Sequence, residues 1–149
     1  MNPTELRGSR IGVFCGTVGG EAMDHGMLRY NLDLRGYGAL GQSNFMIPAR
    51  ISFAFDLRGP SCHLSTACSS SFTAVEAAVN SIVVGKCEAA LVTGSNVLLN
   101  PYTNLDMMAM NVLARDGRCK AFDVSGEFKF GLEMHVLGKT SNVIYSFAF

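Results

Sequence analysis

The sequence predicts an α/β domain built on a parallel sheet, and two observations carry that prediction. "EAALVTGS", residues 88 to 95, is a continuous apolar run broken by a glycine. Such runs are typical of strands buried on both faces of a parallel sheet. Ahead of it, Phe72, Val75, Val79, Ile82 and Val83 recur at helical spacing from Ser69 onward. With "SCHLST", residues 61 to 66, read as an incoming strand, this makes strand, helix and strand within about 35 residues, a βαβ unit. Its crossover is expected to be right-handed. Composition agrees: the 149 residues are 48% hydrophobic and 16% charged, enough for one domain with elements buried on both faces.

The elements follow in order. "RIGVFCGTVGG", residues 10 to 20, reads as a short buried strand entering a glycine turn. Residues 21 to 44 are glycine-rich and predict a weak helix and a loop. In "FMIPARISFAFDLRGPS", Pro48 suits the first turn of a helix. Ile47, Ile51, Phe53, Ala54 and Phe55 would form its buried face. In the helix after Ser69, Ala74, Ala77 and Ala78 fill positions between the larger residues, which predicts close packing. Gly85 suits its C-terminal cap, and Lys86 lies near the negative end of its dipole. "TNLDMMAMNVLA", 103 to 114, predicts a further helical segment whose methionines fill core or pocket gaps. Beyond Glu127 the chain is aromatic and β-prone.

Several function classes are disfavoured. The net charge is zero, so no basic surplus points to nucleic acid or a membrane surface. No run of about 18 apolar residues predicts a membrane span. "MNPTELRGSR" lacks the apolar core of a signal peptide. The five cysteines, an odd number, fit a reducing, cytoplasmic compartment better than a disulfide framework. They do not combine with His25, His63 and His135 into a zinc pattern.

Cys68 stands apart. It lies among Thr66, Ala67, Ser69, Ser70 and Ser71, where the incoming strand gives way to the helix. A helix N-terminus presents unpaired N–H groups and the positive end of the dipole, which favour thiolate over thiol. The same N–H groups can receive a developing oxyanion. Small neighbours suit a turn this sharp, as in the serine elbow of hydrolases, although G-x-S-x-G is absent. Cys15, Cys62, Cys87 and Cys119 are expected to be inert buried thiols.

The segment "GPSCHLSTACSSSFTAVEAAVNSIVVGKCEAALVTGSNVLLNP" resembles the active-site segment of the β-ketoacyl synthases, the condensing domains of fatty acid and polyketide synthases. The family pattern there is G-P-S, then D-T-A-C-S-S-S, a helix, an A-A-L-V-x-G strand and an N-L-L-L-x-P turn. "NVLARDGRCKAFDVSGE" is similar to the family's G-M-L-S-x-D-G-x-C-K-x-F-D segment. The resemblance covers residues 8 to 127. It is nearest to the animal multifunctional fatty acid synthases, with an insect version as the narrower expectation. It divides the chain into a partial β-ketoacyl synthase N-terminal domain, 1–127, and a divergent tail, 128–149.

The resemblance implies a thiolase-like fold, layered α-β-α-β-α, with only the nucleophile-bearing half in this chain. The intact family fold is usually a homodimer. The implied reaction is decarboxylative condensation of acyl and malonyl thioesters in fatty acid biosynthesis, an acyltransferase activity. The acyl group passes from the phosphopantetheine arm of an acyl carrier protein to the active cysteine. Malonyl-carrier then decarboxylates, and its carbanion attacks the thioester. Carried over by position, Cys68 is the nucleophile, and its own backbone N–H is an oxyanion donor. The implied partners are the carrier protein and its thioesters, with no permanently bound cofactor or metal.

The pattern is broken in places. Ser65 stands where the family usually has Asp, offering a local hydrogen bond but no charge. After Gly126-Glu127 the chain reads "FKFGLEMHVLGK" where the family has a glycine–tyrosine–arginine–glutamate stretch. The family's H-G-T-G-T and N-x-G-H histidine motifs, the lysine between them and its opening strand do not occur. His25, His63 and His135 match none of these motifs and are expected to be surface or structural histidines. Condensation by these residues alone is therefore expected to be close to absent. A shortened gene model, a pseudogene product and a reading frame shifted after Glu127 all fit this pattern. A non-catalytic interaction module, an unstable fragment and a polyketide synthase domain stand as alternatives. An isolated half would also expose an apolar face.

Overall fold

A computed structural model describes residues 3–18, 40–41, 43–96, 101–111, 113, 136–139 and 143–147, the last two stretches as backbone alone. The expectations for residues 21–39, and those resting on His25, Cys119 and His135, fall outside these residues.

A 3-10 turn at Pro3–Leu6 leads into β1, Ile11–Thr17. Helix α1 is Met46–Ala54, β2 is Ser61–Leu64, α2 is Ser70–Val83 and β3 is Ala89–Ser95. Helix α3 is Pro101–Ala109, and strands β4, Val136–Lys139, and β5, Val143–Phe147, close the order. All five strands form one sheet in the order β2-β1-β3-β5-β4. β2, β1, β3 and β5 run parallel, and β4 is an antiparallel edge. The predicted parallel sheet is present, and β3 lies inside it as expected.

The two sides of β1 and β3 separate into two cores. Phe14 of β1 and Ala90 and Val92 of β3 pack with Ala74, Ala78 and Cys87 on the α2 face. Val13 and Cys15 pack with Leu57 on the other face, joined by Ile47 and Ile51 of α1 and Leu91 of β3. A strand covered on both sides has no polar face to show. That is why these segments read as unbroken apolar runs rather than alternating ones.

The helices bury different residues from those expected. In α1, Ile47 and Ile51 face the sheet, but Phe53 is 88% exposed. Phe53 lies two positions, about 200°, beyond Ile51, on the opposite side of the helix. Phe55 is the exposed C-cap residue and no longer follows the helical stripe. In α2, the buried residues are Ser70, Ser71, Ala74 and Ala78, while Phe72 and Val83 are 73% and 78% exposed. Small residues therefore face the sheet, with Val75 and Ile82 of the expected stripe packed beside them, while Phe72, Val79 and Val83 lie on the outer side.

Helix α2 ends as predicted. Gly85 takes φ +75°, its N–H bonds the Ile82 carbonyl at 2.9 Å, and Lys86 N–H reaches Ser81 O at 2.8 Å. An unforeseen group, the Arg10 guanidinium, donates to Gly85 O at 2.6 Å. Helix α3 starts at Pro101, a favoured first helical residue, and ends at Ala109. It buries none of its residues. Met107, Met108 and Met110 are exposed rather than filling a core.

Candidate active site

The parallel strands align their C-terminal ends, with Gly16 opposite Leu64 and Thr17 opposite Ser95. Loops at that end of a parallel sheet form the usual binding crevice of α/β proteins. The segment 65–69 leaves β2 there and turns into α2. Cys68 lies on this turn, two residues before the first helical residue, and is exposed.

The turn is sharp because Ala67 takes φ +54°, left-handed backbone that a residue with a Cβ seldom adopts. Such strain persists where surrounding bonds over-determine it. Here they do. Ser69 N–H donates to Thr66 O at 3.3 Å, and Ser70 N–H to Ala67 O at 3.1 Å. Ser69 Oγ donates to Thr66 O at 2.7 Å, and Ser70 Oγ to Ala67 O at 2.6 Å. Thr66 N–H in turn donates to Ser70 Oγ at 2.8 Å. Hydroxyls of Thr66 and Thr73 meet at 3.0 Å on the outside. Ser65 has no side-chain partner among the described residues, so the local bond expected of it is not made.

The turn is also pressed against β1. A Cβ on Gly16 would lie 2.5 Å from Ser70 O and 2.7 Å from Ser71 N. Only a glycine lets the helix start this close to the strand.

The other candidate residues behave differently. Cys15 is fully buried, and Thr93 Oγ1 donates to its Sγ at 3.1 Å. Burial pushes its thiol up despite that bond. Burial likewise raises Cys87, against smaller opposing effects of a Gly12 backbone bond and Arg10. Both are buried, as expected. Cys62 is not, because it is exposed on the edge strand β2. His63 pairs its Nε2 with Thr17 Oγ1 at 2.7 Å, and burial lowers its pKa. Its Nε2 is thus paired within the fold. No group of three or more His, Cys, Asp or Glu suited to a metal ion occurs among the described residues. No described helix is long and apolar enough to cross a membrane.

Sequence reasoning placed Cys68 on the strand-to-helix turn among small neighbours, where the structure has it. It missed Gly16, the left-handed Ala67 and the two-way bonding of Ser70. The dense run of hydroxyls after Cys68 was the available signal.

A family model described as "Beta-ketoacyl synthase, N-terminal domain" matches residues 1–132. The chain belongs to the β-ketoacyl synthase family. The fold is accordingly a partial thiolase-like one, as two solved ketosynthases support. An oxazolomycin ketosynthase domain from Streptomyces albus superposes with a TM-score of 0.63 and 39% identity, over 76% of this chain and 19% of that one. The ketosynthase from module 6 of the bacillaene synthase of Bacillus subtilis gives 0.62 and 29%, over 80% and 19%. Among curated relatives, a fatty acid synthase from the goose Anser anser anser is 42% identical over 85% of this chain. A probable polyketide synthase 1 from Dictyostelium discoideum is 38% identical over 82% of it. The chain spans 36% of the goose relative and 4% of the Dictyostelium one.

Proposed function

We propose that Cys68 is the acyl-accepting nucleophile of a β-ketoacyl synthase that condenses acyl and malonyl thioesters in fatty acid synthesis. The observation that carries this reading is the strained turn, which leaves one exposed thiol just before the start of a helix packed on the sheet. Cys68 Sγ attacks the carbonyl carbon of an acyl thioester. The new S–C bond forms as the donor's C–S bond breaks, and the departing thiolate takes the proton that Cys68 gives up. The Cys68 backbone N–H donates to the tetrahedral oxygen. Holding the acyl group on sulfur divides a difficult carbon–carbon bond formation into two easier steps. In this reading the donor is the phosphopantetheine thioester of an acyl carrier protein, and the second substrate is its malonyl form. The 42% identity to the goose fatty acid synthase supports the fatty acid assignment. Residues 1–127 form the partial synthase domain and 128–149 a divergent tail in this proposal, which the family match ending at 132 supports.

Butyryl-CoA incubated with the full chain tests it, read by intact mass and peptide mapping. A single hydroxylamine-sensitive adduct on Cys68, absent in Cys68→Ala, is expected. Adducts spread evenly over the five cysteines would sink the assignment.

The exposed stripe of Phe72, Val79 and Val83 favours a second reading, a ketosynthase-like pairing module without turnover. Sedimentation as a monomer at micromolar concentration, with no capture of a complete condensing domain, would rule it out.

A further inference from the structure

We infer that Ser70 is a positioning residue for the acyl-accepting thiol: it fixes the Ala67–Cys68 peptide plane and so aims the Cys68 N–H at the reacting oxygen. The inference rests on the proposed role of Cys68. Ser70 is 3% exposed, so its hydroxyl must find partners inside the protein. It finds one on each side of the strained residue. It accepts from Thr66 N–H at 2.8 Å and donates to Ala67 O at 2.6 Å. Ser70 N–H adds a second bond to the same carbonyl at 3.1 Å.

The Ala67 carbonyl and the Cys68 N–H belong to one peptide unit. In a planar trans peptide they point in opposite directions. With the carbonyl drawn onto Ser70 from two donors, the N–H is turned away from Ser70. An ordinary helix start does not impose this orientation. Its first carbonyls bond to N–H groups further along, and its cap side chain bonds one of the free N–H groups. In this chain the cap residue, Ser69, makes no such bond. Its hydroxyl is spent on Thr66 O. The left-handed Ala67 is thus held by the hydroxyl of the first helical residue, whose own backbone is wedged against Gly16.

The chain contains its own controls. Cys62 is exposed on β2, six residues before Cys68, and Cys15 and Cys87 are buried. In Ser70→Ala, the Cys68 acylation rate with butyryl-CoA should fall about 100-fold, the size expected when an oxyanion donor or the attacking group is misplaced. Maleimide labelling of Cys62 should be unchanged, and Cys15 and Cys87 should stay protected. Ala67→Gly in the Ser70→Ala background should recover much of the rate, because glycine takes positive φ without the Cβ penalty. A merely structural serine would not give this pattern. Ser70→Ala acylating at the wild-type rate would overturn the inference. So would Cys15 and Cys87 labelling as fast as Cys62, since Ser70 would then hold the fold rather than the turn. Failure of the wild-type chain to acylate Cys68 would instead remove the proposed function.

Discussion

Gly16→Ala is the sharpest single perturbation of the site, although it touches neither Cys68 nor the turn in sequence. The new Cβ would meet Ser70 O at 2.5 Å, Ser70 C at 2.6 Å and Ser71 N at 2.7 Å, all of them backbone. No rotamer change relieves a backbone clash. Ordinary contact begins at 3.4 Å, so strand and helix must part by about 0.9 Å. Overpacking of this kind costs about 1–3 kcal/mol. The retreat also carries the whole turn with it, and a displacement of about 1 Å in a reacting group can cost about 100-fold in rate. Urea unfolding and Cys68 acylation by butyryl-CoA, measured on the same preparation, should both show the loss. Gly85→Ala is the control. It meets nothing within 4 Å but sits at φ +75°. It should lose about 1 kcal/mol of stability and leave acylation intact. Gly16→Ala with wild-type stability and wild-type acylation would refute the claim that close approach to β1 sets the turn.

Three further outcomes follow from the same structure. Burial lowers His63 from its usual 6.5, so the unfolded chain takes up the proton first. The stability it contributes is whole above about pH 6.5 and is lost as pH falls through the lower folded value. Urea midpoints between pH 7.5 and 5 should therefore fall on acidification and flatten in His63→Gln; identical slopes would count against this. Phe14→Ala, at a fully buried site, should cost about 3–5 kcal/mol in thermal or chemical unfolding. Phe72→Ala, on the outer face of α2, should stay within about 1 kcal/mol, and a large loss there would mean that the outer stripe is covered in solution.

The strands were legible because burial on both faces leaves an unbroken apolar run, as in Ile11–Cys15 and Ala89–Val92. The orientation of α2 was not. Periodicity identifies a stripe of large residues but not whether that stripe faces inward. The deciding quantity is the distance between helix and sheet. Where Gly16 lets them nearly touch, Ser70, Ser71, Ala74 and Ala78 are the helix residues buried between them, Val75 and Ile82 pack beside them, and Phe72 is turned out. The same limit applies to α1, where Ile47 and Ile51 were read correctly and Phe53 was not. The place of Cys68 on the strand-to-helix turn was legible from its small neighbours. The left-handed Ala67 was not, because alanine has no intrinsic preference for positive φ. Its conformation comes from hydroxyls that bond only once the turn exists.

The bonds of that turn join residues only three to seven positions apart. The strand pair beneath it is another matter, since the Cys15–Thr93 contact spans 78 positions. Loop-closure entropy therefore weighs little on the turn and heavily on its support. On a growing chain, the bonds around Cys68 can form soon after it emerges, while β1, able to pair with β2 on one side, still lacks β3 on the other. The reactive geometry is local in origin, but it becomes rigid only when the most distant partners of the sheet have met.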